Sequence, residues 1–314
     1  MLKRTLCVFS ALLIAVLSFS ACSSSGGASS EKALSEQGST VKTDIYRFED
    51  YADSEVFEIE KAELNGGLSE KCTTYKFCFD SDSNKIKAFI SIPSSAAVSG
   101  EPCKCVLFCR GGNSNLGQLK ESDTATISAA CGRIVVSAEY RGTKGADGAD
   151  QFGGAELDDV IKLIDLCQNK FSFVDMDDFC AAGVSRGGMM TYMAARKDDR
   201  IRRIAAVSAL SDFENAYDER DDMKSVILEH IGVTPQSAPE EYEKRSAVCW
   251  ADEIKVPVLI IHSRLDKQVP FHQAEEMYGK LKDHVDCKFI IYDDDLHGPR
   301  QEDFPIINEW LNNE

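Results

Sequence analysis

Ser185 lies in Gly183-Val184-Ser185-Arg186-Gly187-Gly188, with a glycine two residues away on either side. An apolar run, Phe179–Ala182, precedes this segment, and a helix-compatible stretch from about Gly188 to Ala195 follows it. A serine that projects its hydroxyl from a tight strand-to-helix turn needs neighbours without bulky side chains. The helix start then faces the reacting atom with free amides and the positive end of its dipole. That arrangement suits nucleophilic attack on a carbonyl carbon.

A serine hydroxyl is a weak nucleophile at neutral pH, so the chemistry also requires a base, normally a histidine oriented by a carboxylate. The chain has 5 histidines. His297, in Leu296-His297-Gly298, follows the last strand-like run, Lys288–Tyr292, and is the candidate base. His262 ends a strand and reads as support for the loop after it; His272 opens a helix behind Val269-Pro270; His230 and His284 lie in polar helical surroundings. The acid should come from the loop after the preceding strand, and Asp266 in Ser263-Arg264-Leu265-Asp266-Lys267 fits that place. The consecutive acids Asp293, Asp294 and Asp295 read as a solvated run. The chain order Ser185, Asp266, His297 leaves room for a helical crossover and an insertion between them.

Attack creates an oxyanion that needs two hydrogen-bond donors. One is expected from the backbone N–H of Arg186, the residue after the serine. The other is expected from Gly111 or Gly112 in Arg110-Gly111-Gly112-Asn113, where glycine lets the backbone approach a substrate oxygen. Losing one such donor raises the barrier by roughly 3 kcal/mol.

These residues need a frame that brings them together. Short continuous apolar runs recur along the chain: Cys105–Cys109, Ile134–Ala138, Phe179–Ala182, Ile204–Ser208, Val258–His262 and Lys288–Tyr292. Runs of that kind suit strands buried on both faces, so the fold class is α/β, a mostly parallel twisted sheet covered by helices on both faces. A helix beginning at Ala155 should pack Leu157, Val160, Ile161, Ile164 and Cys167 on it. Upstream, Thr73–Asp80 and Ile86–Ile92 flank the turn-prone Ser81-Asp82-Ser83-Asn84 and predict an antiparallel hairpin. Residues 212–253 are polar, contain Pro235 and Pro239, and read as a helical insertion; the chain ends in an amphipathic segment through Ile306, Ile307, Trp310 and Leu311.

The 314 residues begin with Lys3 and Arg4, an apolar run from Leu6 to Leu17, and Phe19-Ser20-Ala21-Cys22. That order predicts a signal peptide over residues 1–21 and lipidation of Cys22, which would anchor the chain on the outer face of a bacterial membrane. Residues 22–43 read as a Ser/Gly-rich tether and residues 44–314 as the catalytic domain. The formal charge of -17 argues against nucleic acid as a partner. Of the 12 cysteines, Cys7 falls in the signal and Cys22 takes the lipid. The others read mostly as buried thiols, with Cys72 and Cys78, and Cys103 and Cys105, open as pairs. No cysteine spacing matches a zinc site, and no metal is expected.

Several motifs together resemble the catalytic domain of the prolyl oligopeptidase family. They are Arg110-Gly111-Gly112, Glu139-Tyr140-Arg141-Gly142, the segment around Ser185, Val256-Pro257-Val258-Leu259-Ile260-Ile261-His262 leading to Asp266 and Val269-Pro270, and His297-Gly298. The resemblance implies an α/β-hydrolase fold and a serine hydrolase with the triad Ser185, Asp266 and His297. It implies no metal or organic cofactor, and an acyl-enzyme route for peptides or, in many related members, esters. Only about 60 residues between the tether and Pro102 leave no room for the β-propeller usual in family peptidases. The oxyanion loop also lacks the tyrosine many of them use. These departures keep open an esterase acting on small or carbohydrate-linked esters, and a ligand-binding lipoprotein without catalysis. Arg110, Tyr140 and Arg141 are candidates for the substrate pocket, and Arg110 or Arg186 for meeting a substrate carboxylate; structural ion pairs are their alternative role.

Overall fold

The computed structural model describes residues 47–99 and 101–313. The signal over 1–21, Cys22 and the tether through 43 lie outside the described residues.

β2 (Cys72–Ser81) and β3 (Asn84–Pro93) pair antiparallel from Cys72 with Pro93 to Ser81 with Asn84. Asp82 and Ser83 between them take φ of 51° and 64°, the positive values that match a two-residue turn to strand twist. β1 (Val56–Lys61) adds an outer strand beside β2, and short helices α1 (Leu68–Lys71) and α2 (Ser94–Ser99) flank the hairpin.

Strands then alternate with helices. The order is β4 (Cys103–Cys109), α3 (Glu121–Cys131), β5 (Ile134–Ala138), α4 (Glu156–Asn169), β6 (Val174–Val184), α5 (Arg186–Lys197) and β7 (Ile204–Val207). α6 (Phe213–Glu219), α7 (Asp221–Ile231) and α8 (Pro239–Glu243) fill the segment from 212 to 253. β8 (Val258–Ser263), α9 (Phe271–Leu281), β9 (Cys287–Tyr292) and α10 (Asp303–Asn312) complete the chain. Among the described residues, the nine strands form one sheet in the order β1-β2-β3-β5-β4-β6-β7-β8-β9. β5 joins its two parts, pairing antiparallel with β3 and parallel with β4.

Strand periodicity divides the interior in two. On β4, β7 and β8, Cys105, Leu107, Ile204, Ala206, Val258 and Ile260 point into one core, shared with residues of α4, α5 and α9. Their neighbours Val106, Ala205, Val207, Leu259 and Ile261 point into the other, closed by Trp310 and Leu311 of α10. Successive side chains on a strand face opposite ways, so burial on both faces requires the unbroken apolar runs seen in the sequence. β9 departs from that expectation: as an edge strand it stays partly exposed on both faces. α5 runs through the first core, and every residue from Arg186 to Ala195 is buried.

The 10 cysteines in the described residues are free thiols, including both pairs left open by the sequence. No helix among the described residues is long and apolar enough to cross a membrane.

Candidate active site

Ser185 occupies the turn between β6 and α5 with φ 59° and ψ -123°. A non-glycine residue held in such a sparsely populated region costs on the order of 1–3 kcal/mol, so its surroundings must over-determine it. They do so through both backbone groups: the Ser185 amide donates to Val207 O at 3.0 Å, and its carbonyl accepts from Gly188 at 2.9 Å and Leu210 at 3.2 Å. The flanking glycines are required by contact. A Cβ on Gly183 would lie 2.2 Å from the Gly187 carbonyl oxygen, and one on Gly187 would lie 2.0 Å from that of Cys109. The sequence expected the helix from about Gly188; it begins at Arg186, directly after the serine.

Asp266 and His297 meet after β8 and β9. His297 Nδ1 lies 2.8 Å from Asp266 Oδ2, and the other carboxylate oxygen accepts from the amides of Gln268 at 2.8 Å and Val269 at 3.1 Å. Burial pushes the Asp266 carboxyl up, but the His297 contact and the two amides outweigh it and hold the group below its ordinary value. An ionised carboxylate only accepts, so Nδ1 carries the proton and Nε2 keeps its lone pair for a nucleophile. His262 lies beneath this pair with Nε2 donating to Val269 O at 2.9 Å. Burial lowers its pKa and favours the neutral ring.

Two contacts fix the histidine loop on either side of His297. Gly298 donates its amide to Ser208 Oγ at 3.0 Å, and Leu296 O accepts from Ser263 Oγ at 2.8 Å. Ser208 directly follows Val207, the residue whose carbonyl holds the Ser185 amide. The loop of His297 and the Ser185 turn are thus tied to consecutive residues at the end of β7. Among the described residues no hydrogen bond joins the Ser185 hydroxyl to His297; in free enzymes such bonds are commonly long and tighten with substrate bound.

The oxyanion candidates flank Ser185. Arg186 is the first residue of α5, where an amide has no partner within the helix. Gly111 packs against the serine: a Cβ there would lie 3.0 Å from Val184 O and 3.4 Å from Ser185 Cβ. Gly112 takes φ 78°, and its carbonyl accepts from Arg186 Nη1 at 3.4 Å.

The prolyl oligopeptidase family model matches residues 120–312. The chain belongs to the prolyl oligopeptidase family. It is a serine-type hydrolase, and 27% identical over 253 residues to an uncharacterised peptidase of Bacillus subtilis strain 168, YtmA, across 78% of this chain and 95% of the relative. With dipeptidyl-peptidase 5 of Aspergillus oryzae it shares 25% identity over 254 residues, 76% of this chain but 35% of the fungal protein. In structure it resembles the acylaminoacyl peptidase of Pyrococcus horikoshii, with TM-score 0.68 at 21% identity over 80% of this chain and 43% of that one. It also resembles acetyl xylan esterase 1 of Thermoanaerobacterium sp. JW/SL YS485, with TM-score 0.63 at 17% identity over 84% of this chain and 92% of that one. These structural likenesses establish the α/β-hydrolase fold.

The three pocket candidates of this family member turn inward. Arg110 is buried, pairs with Glu139 at 2.6 Å, and donates to the carbonyls of Gly111, Ser114 and Leu116 at 2.9 to 3.1 Å. The buried Tyr140 hydroxyl donates to Arg110 O at 2.8 Å. Arg141 grips Asp159 through both Nε, at 2.8 Å, and Nη2. The Arg186 side chain, also weighed for a substrate carboxylate, is buried and bonded to both oxygens of Asp150, at 2.8 and 2.7 Å. All four thus make the structural ion-pair or hydrogen-bond contacts that the sequence offered as their alternative role.

Sequence reasoning missed Asp150, Ser208 and His230. His230 Nε2 lies 3.0 Å from Ser114 Oγ, bringing the insertion to the loop after β4 that carries Gly111 and Gly112. No local pattern marks these contacts, since the partners are 36, 90 and 116 positions apart. Ser208 carries a trace of its role in its backbone, with φ 46°.

Proposed function

We propose that Ser185 is the nucleophile, His297 the general base and acid, and Asp266 the group that orients His297, in a peptidase working through an acyl-enzyme. Ser185 Oγ attacks the scissile carbonyl carbon while His297 Nε2 takes its proton. The carbonyl electrons move onto the oxygen, which the Arg186 amide and an amide of the Gly111–Gly112 turn stabilise. Collapse expels the amine, which receives the proton from His297. Water then repeats the sequence on the acyl-enzyme and restores the Ser185 hydroxyl. The observation that carries this reading is the 2.8 Å contact of His297 Nδ1 with Asp266, which turns Nε2 away from the carboxylate as a base requires.

Family membership and the peptidase relatives support a peptide substrate. Three exposed large apolar side chains lie on the loops that carry these groups, and on that ground we take an apolar group on the substrate: Leu116 follows Gly112 in the loop after β4, Leu265 precedes Asp266, and Leu296 precedes His297. Turnover of aminoacyl and peptidyl nitroanilides against short acyl nitrophenyl esters tests the reading. It predicts amide cleavage with kcat/KM comparable to that of the esters, highest for apolar residues. Efficient ester hydrolysis with amide turnover near background would assign the site to an esterase.

A further inference from the structure

The two proposed oxyanion donors belong to separate elements, Arg186 to α5 and Gly111–Gly112 to the loop after β4. Stabilisation of a developing charge depends on donors fixed before the reaction, so something must set the distance between the two arms. Asp150, in the segment between β5 and α4, touches both. Its Oδ1 accepts from Arg186 Nη2 at 2.7 Å and from the Phe152 amide at 2.9 Å. Its Oδ2 accepts from Arg186 Nη1 at 2.8 Å and from the Ser114 amide, in the oxyanion loop, at 2.7 Å.

The surroundings leave this clamp little freedom. The Arg186 guanidinium lies between the rings of Tyr140 and Phe152, each 4.4 Å away, and 3.5 Å from buried Glu156. The Tyr140 hydroxyl is bonded to Arg110 O, so the same stack reaches the start of the oxyanion loop. From the insertion, His230 closes the outer side. Its Nδ1 donates to Val226 O at 2.6 Å, leaving Nε2 to meet Ser114 Oγ at 3.0 Å, with Asp150 Oδ2 3.6 Å away.

We propose that Asp150 is a positioning residue that locks the two arms of the oxyanion hole together, with His230 bracing it from the insertion. Asp150 does not touch substrate; it acts through the Arg186 side chain and the Ser114 amide. A carboxylate bonded in this way to a bidentate guanidinium and two amides gives geometric specificity as well as strength. Replacing it by asparagine keeps the shape, removes the charge and turns an amide group toward one set of donors.

The inference rests on the catalytic reading above, and the test separates the two. The variants are Asp150→Asn and His230→Gln, each with its melting curve, kcat and KM on a nitroanilide, and affinity for a peptide aldehyde whose adduct with the serine carries the oxyanion. For Asp150→Asn the clamp predicts a fall in kcat of about 10- to 100-fold, an equal loss of aldehyde affinity, and KM changed by less than about threefold. His230→Gln, which leaves the ion pair intact, should show the same pattern at about three- to tenfold. If Asp150→Asn does not fold, His230→Gln decides. A folded variant of either kind with kcat and aldehyde affinity within about twofold of wild type would overturn the clamp. Absence of Ser185-dependent turnover in the wild-type protein would instead overturn the catalytic reading.

Discussion

At the scale of single residues, Asp266 shows how one carboxylate sets both a tautomer and a charge. Its Oδ1 is held by the Gln268 and Val269 amides, so Oδ2 is presented to His297 Nδ1 in a fixed direction. In Asp266→Asn the side-chain amide can donate to Nδ1, which would leave the proton on Nε2 and the serine without a base. We expect kcat to fall by about 10⁴ with KM little changed and the fold retained. The same pair of proteins makes a statement about pH. Burial raises the Asp266 carboxyl and His297 with the two amides lowers it further, for a net depression. A group depressed on folding stabilises the native state above its unfolded pKa of about 3.9 and loses that contribution as pH falls through the lower folded value. Melting temperatures of wild type and Asp266→Asn should therefore converge below about pH 4. A constant gap down to the acid limit, or near-native turnover in the variant, would remove Asp266 from the triad.

At the scale of elements, the site depends on how closely α5 approaches β4. A methyl at Gly187 would meet the Cys109 carbonyl at 2.0 Å, a backbone atom with no rotamer to yield. Gly279 in α9 has nothing within 4 Å of its would-be Cβ. Gly187→Ala should therefore destabilise by on the order of 3 kcal/mol, while Gly279→Ala should stabilise by about 0.5–1 kcal/mol through helix propensity. Urea titrations of both variants check this, and equal effects would contradict the packing account. The contrast also marks what was legible in the sequence. Repulsion between backbones leaves a local trace, so the glycines around Ser185 could be read, as could β4, β5, β7 and β8 from their apolar runs. β6 was read short, over Phe179–Ala182 rather than Val174–Val184, because Asp175, Asp177 and Asp178 interrupt its apolar pattern. The insertion of β5 between β3 and β4 left no trace, since strand order is decided by tertiary pairing. The roles of Arg110, Tyr140, Arg141 and Arg186 were equally hidden: a guanidinium that faces an interior carboxylate and one that faces a substrate look alike in sequence.

At the scale of the whole molecule, the parallel part of the sheet is what turns distant residues into one site. β4 and β6 to β9 run the same way, so the loops after them that carry Gly111, Ser185, Ser208, Asp266 and His297 emerge along one edge. Helices on both faces bury the strands, and this edge is the usual place for ligands in open α/β sheets. The central claim is that this edge makes one particular hydroxyl reactive, and covalent labelling of the folded protein with a fluorophosphonate tests it most directly. The account predicts about one equivalent of label on the wild-type protein, none on Ser185→Ala, and strongly slowed labelling of His297→Ala, with all three melting cooperatively. Equal labelling of wild type and Ser185→Ala, or no labelling of a folded wild-type protein, would contradict it.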